Sequence, residues 1–142
     1  IIKNNIIEMQ LKSNTPNIHV ISSDIVLINS DFSMGYKINP DILYREVLNN
    51  NIFVTYEPCI YPGVNIKYYI RNDERTNGIC SCESQCNGKG KNGECKKVTI
   101  AVFNSGNIII TGAKCTEQLV ICYNFIKNLI DENRELIEMK IE

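Results

Sequence analysis

The chain has no tryptophan, only four prolines and a single histidine, His19, among its 142 residues. Around that one imidazole no nucleophile–base pair and no paired-carboxylate constellation stands out, so catalysis finds no support. No apolar run is long enough to cross a bilayer and no secretory leader is legible. An Asn-x-Ser/Thr glycosylation acceptor is also missing. Neither sign of charge dominates: 15 Lys and Arg face 16 Asp and Glu, for a net charge of -1. Proteins that neutralise many phosphates are usually basic. Bulk charge therefore argues mildly against strong nucleic-acid binding by this segment alone, while leaving room for a local basic rim.

The residues that are present occur in ordinary amounts: 44% hydrophobic and 22% charged, in a length that suits one domain with a real core. The chain is rich in Ile, Asn and Lys, a mix that AT-rich codons favour, which points to a large virus or a protist. It begins at Ile1 rather than Met, so it reads as an excerpt or a trimmed product. Seven cysteines are an odd number, and four of them crowd one segment. That fits an intracellular setting better than a secreted disulfide framework.

Periodicity divides the chain. Ile1 to Lys12 reads as the end of a helix, and the stretch from Ser13 to Asn17, with Pro16, breaks it. His19 to Asp31 is strand-like. Asn39-Pro40-Asp41 is a helix start, with Asn39 as N-cap and Pro40 in the first turn. That helix runs to about Leu48, burying Ile42 or Leu43 with Val47, and Asn49 to Asn51 ends it. Strands come next at Ile52–Tyr56, Val64–Ile70, Val98–Phe103 and Asn107–Thr111, the last two joined by a tight hairpin at Ser105-Gly106. A long helix runs from Thr116 to about Glu135 or beyond, with Leu119, Cys122, Tyr123, Ile126 and Ile130 on one stripe, best read as core. Phe125-Ile126-Lys127-Asn128 faintly echoes Ile1-Ile2-Lys3-Asn4. The first 22 residues would then close a preceding repeat, with 23–142 forming the next. The order strand, helix, four strands, helix implies an α+β fold, an antiparallel sheet with helices on one face.

Alternation assigns the faces of that sheet. Val98, Ile100, Val102, Ile108 and Ile110 form an aliphatic set for the core. Thr99, Ala101, Phe103, Asn107, Ile109 and Thr111 form a mixed set for the open side. A soluble monomer normally makes an open face more charged. The minor groove of DNA offers mostly acceptors at A·T pairs, which Asn or Thr can meet as donors. Aromatic wedges can unstack a base step there. The other reading is that this face packs on another domain or a second copy.

Tyr56-Glu57-Pro58-Cys59-Ile60-Tyr61-Pro62-Gly63, then Phe103-Asn104-Ser105-Gly106, then Thr111-Gly112-Ala113-Lys114 before a long helix, resemble one repeat of the TATA-box-binding protein family. The resemblance covers about Ile25 to Leu136 and is most like the C-terminal repeat. It implies a curved antiparallel sheet with two helices on the convex face. It also implies a role in transcription initiation, binding and bending A·T-rich promoter DNA through the minor groove, without a required cofactor. The alternative is a scaffold of the same fold that binds proteins of the transcription machinery without bending DNA.

Residue by residue, the resemblance makes Tyr61 and Phe103 the two kink-inserting aromatics. Ile60, Pro62, Thr99, Ala101 and Ile109 match neighbours that touch the groove floor and sugars, and Thr111 matches a base-edge hydroxyl. Lys67 and Lys114 match phosphate-contacting bases. Asn29 falls on the first-strand DNA face, in one of two registers; in the other, Leu27 takes the family's Asn position. Tyr61 stands for a Phe, and Asn107 for a Lys. Cys59 replaces the second acid of a motif that recruits transcription factor IIB, which leaves Glu57 for a factor IIB-like partner and the polymerase machinery. Such a protein would work in the nucleus or, if viral, in a cytoplasmic factory or the virion.

One segment departs from the family: a turn of a few residues is replaced by 71–97, with Cys80, Cys82, Cys86 and Cys95. Four thiols in so short a loop are a candidate zinc site. The spacing is not that of a ribbon or finger, and disulfides or a free loop are the competing readings. Because neighbouring strands are antiparallel, this loop should sit at the opposite end of the sheet from the Tyr61 turn. Its lysines, Lys89, Lys91, Lys96 and Lys97, would reach a phosphate backbone or a partner, or simply be solvated.

Overall fold

A computed structural model describes residues 27–71, 77–83, 86–91 and 94–140. The expected N-terminal helix, with its Ile1–Asn4 half of the echo, and the strand residues before Leu27 lie outside them. The described chain forms β1 (Ile28–Ser33), α1 (Pro40–Asn49), β2 (Phe53–Thr55), β3 (Val64–Ile70), β4 (Lys96–Val102), β5 (Asn107–Ala113), α2 (Thr116–Glu132) and α3 (Arg134–Ile137). The strands make one antiparallel, curved sheet in the order β1-β5-β4-β3-β2, with the helices packed on one face.

Local chemistry sets the first helix. The Asn39 side chain accepts from the backbone N–H of Asp41 and Ile42, so it caps two donors that have no partner inside the helix. Leu43 and Val47 are buried, one helical turn apart. The chain leaves through Asn51 at φ 59, a left-handed conformation that Asn tolerates better than most residues.

The core lies between sheet and helices. Val64, Ile66, Val98, Ile100, Ile108 and Ile110 alternate inward from β3, β4 and β5, against Cys122, Ile126, Leu129 and Ile130 of α2. Leu119 is only partly buried and Tyr123 sits at the edge, its ring 4.8 Å from that of Phe32. The stripe of α2 is thus core, shifted to include Leu129. Gln118, on the same helix, is buried because its Oε1 accepts from the Lys114 N–H at 2.7 Å, fixing how the chain turns from β5 into α2.

Several boundaries differ from those expected: β2 is shorter, Phe53–Thr55, β4 ends at Val102, and β5 runs on to Ala113. β1 runs on to Ser33, with its register shifting between Ile28 and Ser30. β4 begins at Lys96, so Lys96 and Lys97 belong to the sheet rather than to the 71–97 loop. The long helix ends at Glu132, and the chain then restarts as α3. That break brings Ile137 under α1, where its carbonyl accepts from the Asn39 N–H at 2.7 Å and Glu138 bridges to Ile38. A straight helix would carry Ile137 away from the core.

The β4–β5 hairpin is the tight turn expected at Ser105-Gly106. Gly106 has φ 92, and a Cβ there would sit 2.1 Å from the Tyr36 carbonyl oxygen. Only glycine fits, and the close approach lets Gly106 and Asn104 carbonyls accept from Met34 and Ile38.

Candidate nucleic-acid interface

The open face is a grid of cross-strand rows. One row runs Phe53, Lys67, Thr99, Thr111 across β2, β3, β4 and β5. The next runs Thr55, Asn65, Ala101, Ile109 and, on β1, Asp31. Beyond it, at one end, Phe103 donates its N–H to the Asn107 carbonyl, and Asn107 pairs with Ser33. At the other end Tyr69 pairs with Lys97. The middle of the face therefore carries short hydroxyls, amides, small or branched apolar groups and, on β1, the Asp31 carboxylate, with the Tyr61 and Phe103 rings toward one end and lysines toward the other.

The aromatic end is built by the turn between β2 and β3. Ile60 and Tyr61 both donate their N–H groups to the Glu57 carbonyl, closing a compact turn that leaves residues 57–62 exposed. Tyr61 folds back so that its ring lies 5.8 Å from the Phe103 ring at a tilt of 59°. The two rings meet over Gly63. A Cβ there would come within 3.0 Å of the Tyr61 ring and 3.1 Å of the Phe103 ring. Tyr61 keeps 40% of its surface exposed and Ile60 79%, beside Pro62 at the turn's tip. Exposed Glu57 and Cys59 are on the same turn.

The lysine end is partly desolvated. Lys67 Nζ donates to Thr99 Oγ1 at 2.9 Å. Burial against the face lowers its pKa, and the charge of Lys97 lowers it further. Burial likewise lowers the pKa of Lys96, with Lys114 and Lys97 adding repulsion. Lys67 and Lys97 thus share this end of the open face, while Lys96, from the other side of β4, lies within electrostatic reach of Lys97 and Lys114.

Among the residues singled out from the sequence, the structure brings Tyr61 to Phe103, Lys67 to Thr99, Thr99 opposite Thr111 and Ala101 opposite Ile109. Asn29 lies on the open side of β1, at the register shift, and its Oδ1 accepts from the Gly112 N–H. Its amide NH2 remains as a donor. Lys114 stands just past β5, on the corner rather than within the rows.

Counting by twos from Lys67 through the hairpin would have found more of the face. Phe53 is 59% exposed in the outer row, and Asn65 sits in the middle. The Asn65 Oδ1 is shielded from solvent with no hydrogen-bond partner among the described residues, a free acceptor in the centre of the face. Asp31 is the one carboxylate in the rows, and the sequence reading passed over it.

The loop after β3 gathers four of its cysteines. The sulfurs of Cys80, Cys82, Cys86 and Cys95 all lie within 4.8 Å of one another. Gly78 bridges to Tyr69 and Gly88 pairs with Lys97, so the loop is fastened to the strand ends away from Tyr61. Seven residues of β3, at about 3.3 Å each, separate the two ends by roughly 20 Å. The remaining cysteines lie elsewhere: Cys59 on the turn, Cys115 at the N-cap of α2 and Cys122 in the core.

Such a sheet, closed by helices on one side and presenting a mostly uncharged face with an aromatic pair on the other, is the architecture of an α+β domain with one side left open to a partner. The family model "Transcription factor TFIID (or TATA-binding protein, TBP)" matches residues 23–132, most of the chain, and the chain belongs to that family. A relative in Acanthamoeba polyphaga mimivirus, "TATA-box-binding protein-like", is 29% identical over 121 residues. The match covers 81% of this chain but only 28% of that relative's length. Membership supports DNA binding and a part in transcription, and the mimivirus relative supports the viral expectation drawn from composition.

Proposed function

We propose that this chain supplies one half of a DNA saddle that binds A·T-rich promoter DNA through the minor groove and bends it, nucleating a preinitiation complex. The observation that carries this reading is the pair of rings, exposed Tyr61 and half-buried Phe103, packed against each other at one end of a mostly uncharged open face. Inserted at a base step, such a pair offsets an unstacking cost of a few kcal/mol with the extra contact a bent duplex allows.

Ile60, Pro62, Ala101 and Ile109 would lie on sugars and the groove floor, with Thr99, Thr111 and the Asn29 amide at base edges. Lys67 and Lys114 would meet phosphates. Glu57 would serve a transcription factor IIB-like partner and the polymerase machinery. The compartment would be the nucleus or, for a viral chain, the cytoplasmic factory or the virion.

A second reading has its own observation. Asp31 sits in the central row of the open face, and a carboxylate there repels a groove lined with phosphates. With a net charge of -1, this favours a scaffold that keeps the fold and binds transcription proteins without bending DNA.

The two readings part in one experiment on the longer protein. Binding to an A·T-rich duplex is compared with a G·C-rich duplex of equal length, with and without a drug that fills the minor groove. The DNA reading expects A·T preference and displacement by the drug. Equal binding to both duplexes, or none at low salt, would leave the scaffold.

A further inference from the structure

We propose that Cys80, Cys82, Cys86 and Cys95 hold one zinc ion as a tetrahedral tetrathiolate that closes the loop between β3 and β4. At a Zn–S distance of about 2.3 Å, tetrahedral sulfurs stand about 3.8 Å apart. Here Cys82 Sγ and Cys95 Sγ are 3.6 Å apart, and no pair of the four exceeds 4.8 Å. All four approach one another, as ligands around one centre do. Disulfides would join them two by two.

The surroundings fit a ligand shell. Gly88 donates its N–H to Cys86 Sγ at 3.3 Å, the kind of amide bond that supports a metal-bound thiolate. Gly90 donates to the Cys95 carbonyl, and Gly88 accepts from Lys97, so the segment carrying Cys86 folds back on the start of β4. Cys95 is buried and the other three are half-buried, a closed site of four protein ligands that suits a structural ion rather than a catalytic one. Thiolates select soft zinc over magnesium or calcium.

Charge and entropy agree. Each thiol releases its proton to solvent as its sulfur binds, with no redox change, so zinc and four thiolates together carry -2. The loop borders lysines that offset this: a Cβ at Gly90 would lie 3.5 Å from Lys114 Nζ and 3.2 Å from Lys96 Cβ. A polar loop with little apolar surface of its own cannot meet its ordering entropy by burial alone, and metal ligation supplies the difference. This site stands independently of the DNA reading.

The test uses the chain purified under reducing conditions, without added metal. Zinc is measured by elemental analysis and by release with a mercurial into a colorimetric chelator. The result expected is one zinc per chain. Substituting cobalt should give thiolate charge-transfer and tetrahedral d–d bands. The double variant Cys82→Ser/Cys95→Ser should lose both signals while its circular dichroism stays that of a folded chain, because the core lies outside the loop. Cys59→Ser/Cys115→Ser should keep both. Should the double variant not fold, cobalt added to the metal-stripped native chain decides alone. A folded, reduced chain with substoichiometric zinc and no cobalt bands would overturn the proposal. Two disulfides found by mass spectrometry in the same preparation would do so as well.

Discussion

The two faces of the sheet are written in alternate residues of the same strands, yet they obey different rules. Along β4, Val98, Ile100 and Val102 are buried and aliphatic, while Thr99 and Ala101 between them and Phe103 just past the strand's end are a hydroxyl, a methyl and an aromatic ring. The inner set is chosen for volume: each side chain fills space against α1 or α2, and size is what matters. The outer set follows no volume rule. It is mostly uncharged in the middle and aromatic at one end, and it leaves the Asn65 Oδ1 without a hydrogen-bond partner among the described residues. A face shaped for packing tolerates apolar exchange; a face shaped for a ligand tolerates loss of stability-neutral groups only until the ligand is offered.

Mutations can break or sharpen that contrast. The largest loss of stability should come from the inner set: Ile100→Ala is expected to cost about 2–5 kcal/mol by leaving a cavity beneath the helices. Chemical denaturation measures it. A loss under about 1 kcal/mol would mean the covered face is loosely packed. Gly106→Ala should cost about 3 kcal/mol, since its methyl must displace the Tyr36 carbonyl at a backbone angle that disfavours side chains.

On the open face the pattern inverts. Ile109→Gln, in the central row, should cost no more than about 1 kcal/mol of stability and weaken DNA binding strongly. Unchanged binding would remove Ile109 from the interface. Lys67→Ala should weaken binding to all duplexes alike, lowering the salt slope by about 0.9, one phosphate's share. A slope that stays put would mean Lys67 serves only Thr99.

A pH dependence inside the core, small within any one pH unit, comes last. Burial pushes the Cys122 thiol from an ordinary 9.0 up to about 12. Below 9.0 both folded and unfolded chains keep the proton, and the full stability is present. Above it the unfolded chain ionises while the folded chain does not, so stability falls by at most about 1.4 kcal/mol per pH unit until about 12. Denaturant midpoints across that window should fall less steeply in Cys122→Ala than in the native chain. An identical slope would assign the alkaline loss to other groups.

Much of this was legible in the sequence because it is local. Asn39 and Pro40 declare a helix start wherever they stand, and alternation from Val98 to Thr111 sorts the faces of two strands without knowledge of their partners. The turn ending in Gly63 and the hairpin at Gly106 are fixed by residue type. The features that escaped depend on partners distant in sequence. β1 pairs with β5 across some eighty residues, and its register shift is set by Asn29 against Gly112. The break after Glu132 exists because Ile137 must reach α1. Phe53, Asn65 and Asp31 were hidden for a simpler reason, since each looks unremarkable until the rows are assembled. The four cysteines could be counted from the sequence, but their convergence required the loop to fold back on β4.

The most direct test of the central claim is bending itself. A promoter duplex labelled at both ends, bound by the longer protein, reports its end-to-end distance by fluorescence energy transfer. The wild-type protein is compared with Tyr61→Ala/Phe103→Ala, and with Gly63→Ala, whose methyl crowds both rings. Strong bending is expected of the wild type, a smaller bend of Gly63→Ala and a nearly straight duplex of the double variant. A wild-type complex that leaves the DNA straight, or a double variant that bends it equally, would contradict the account.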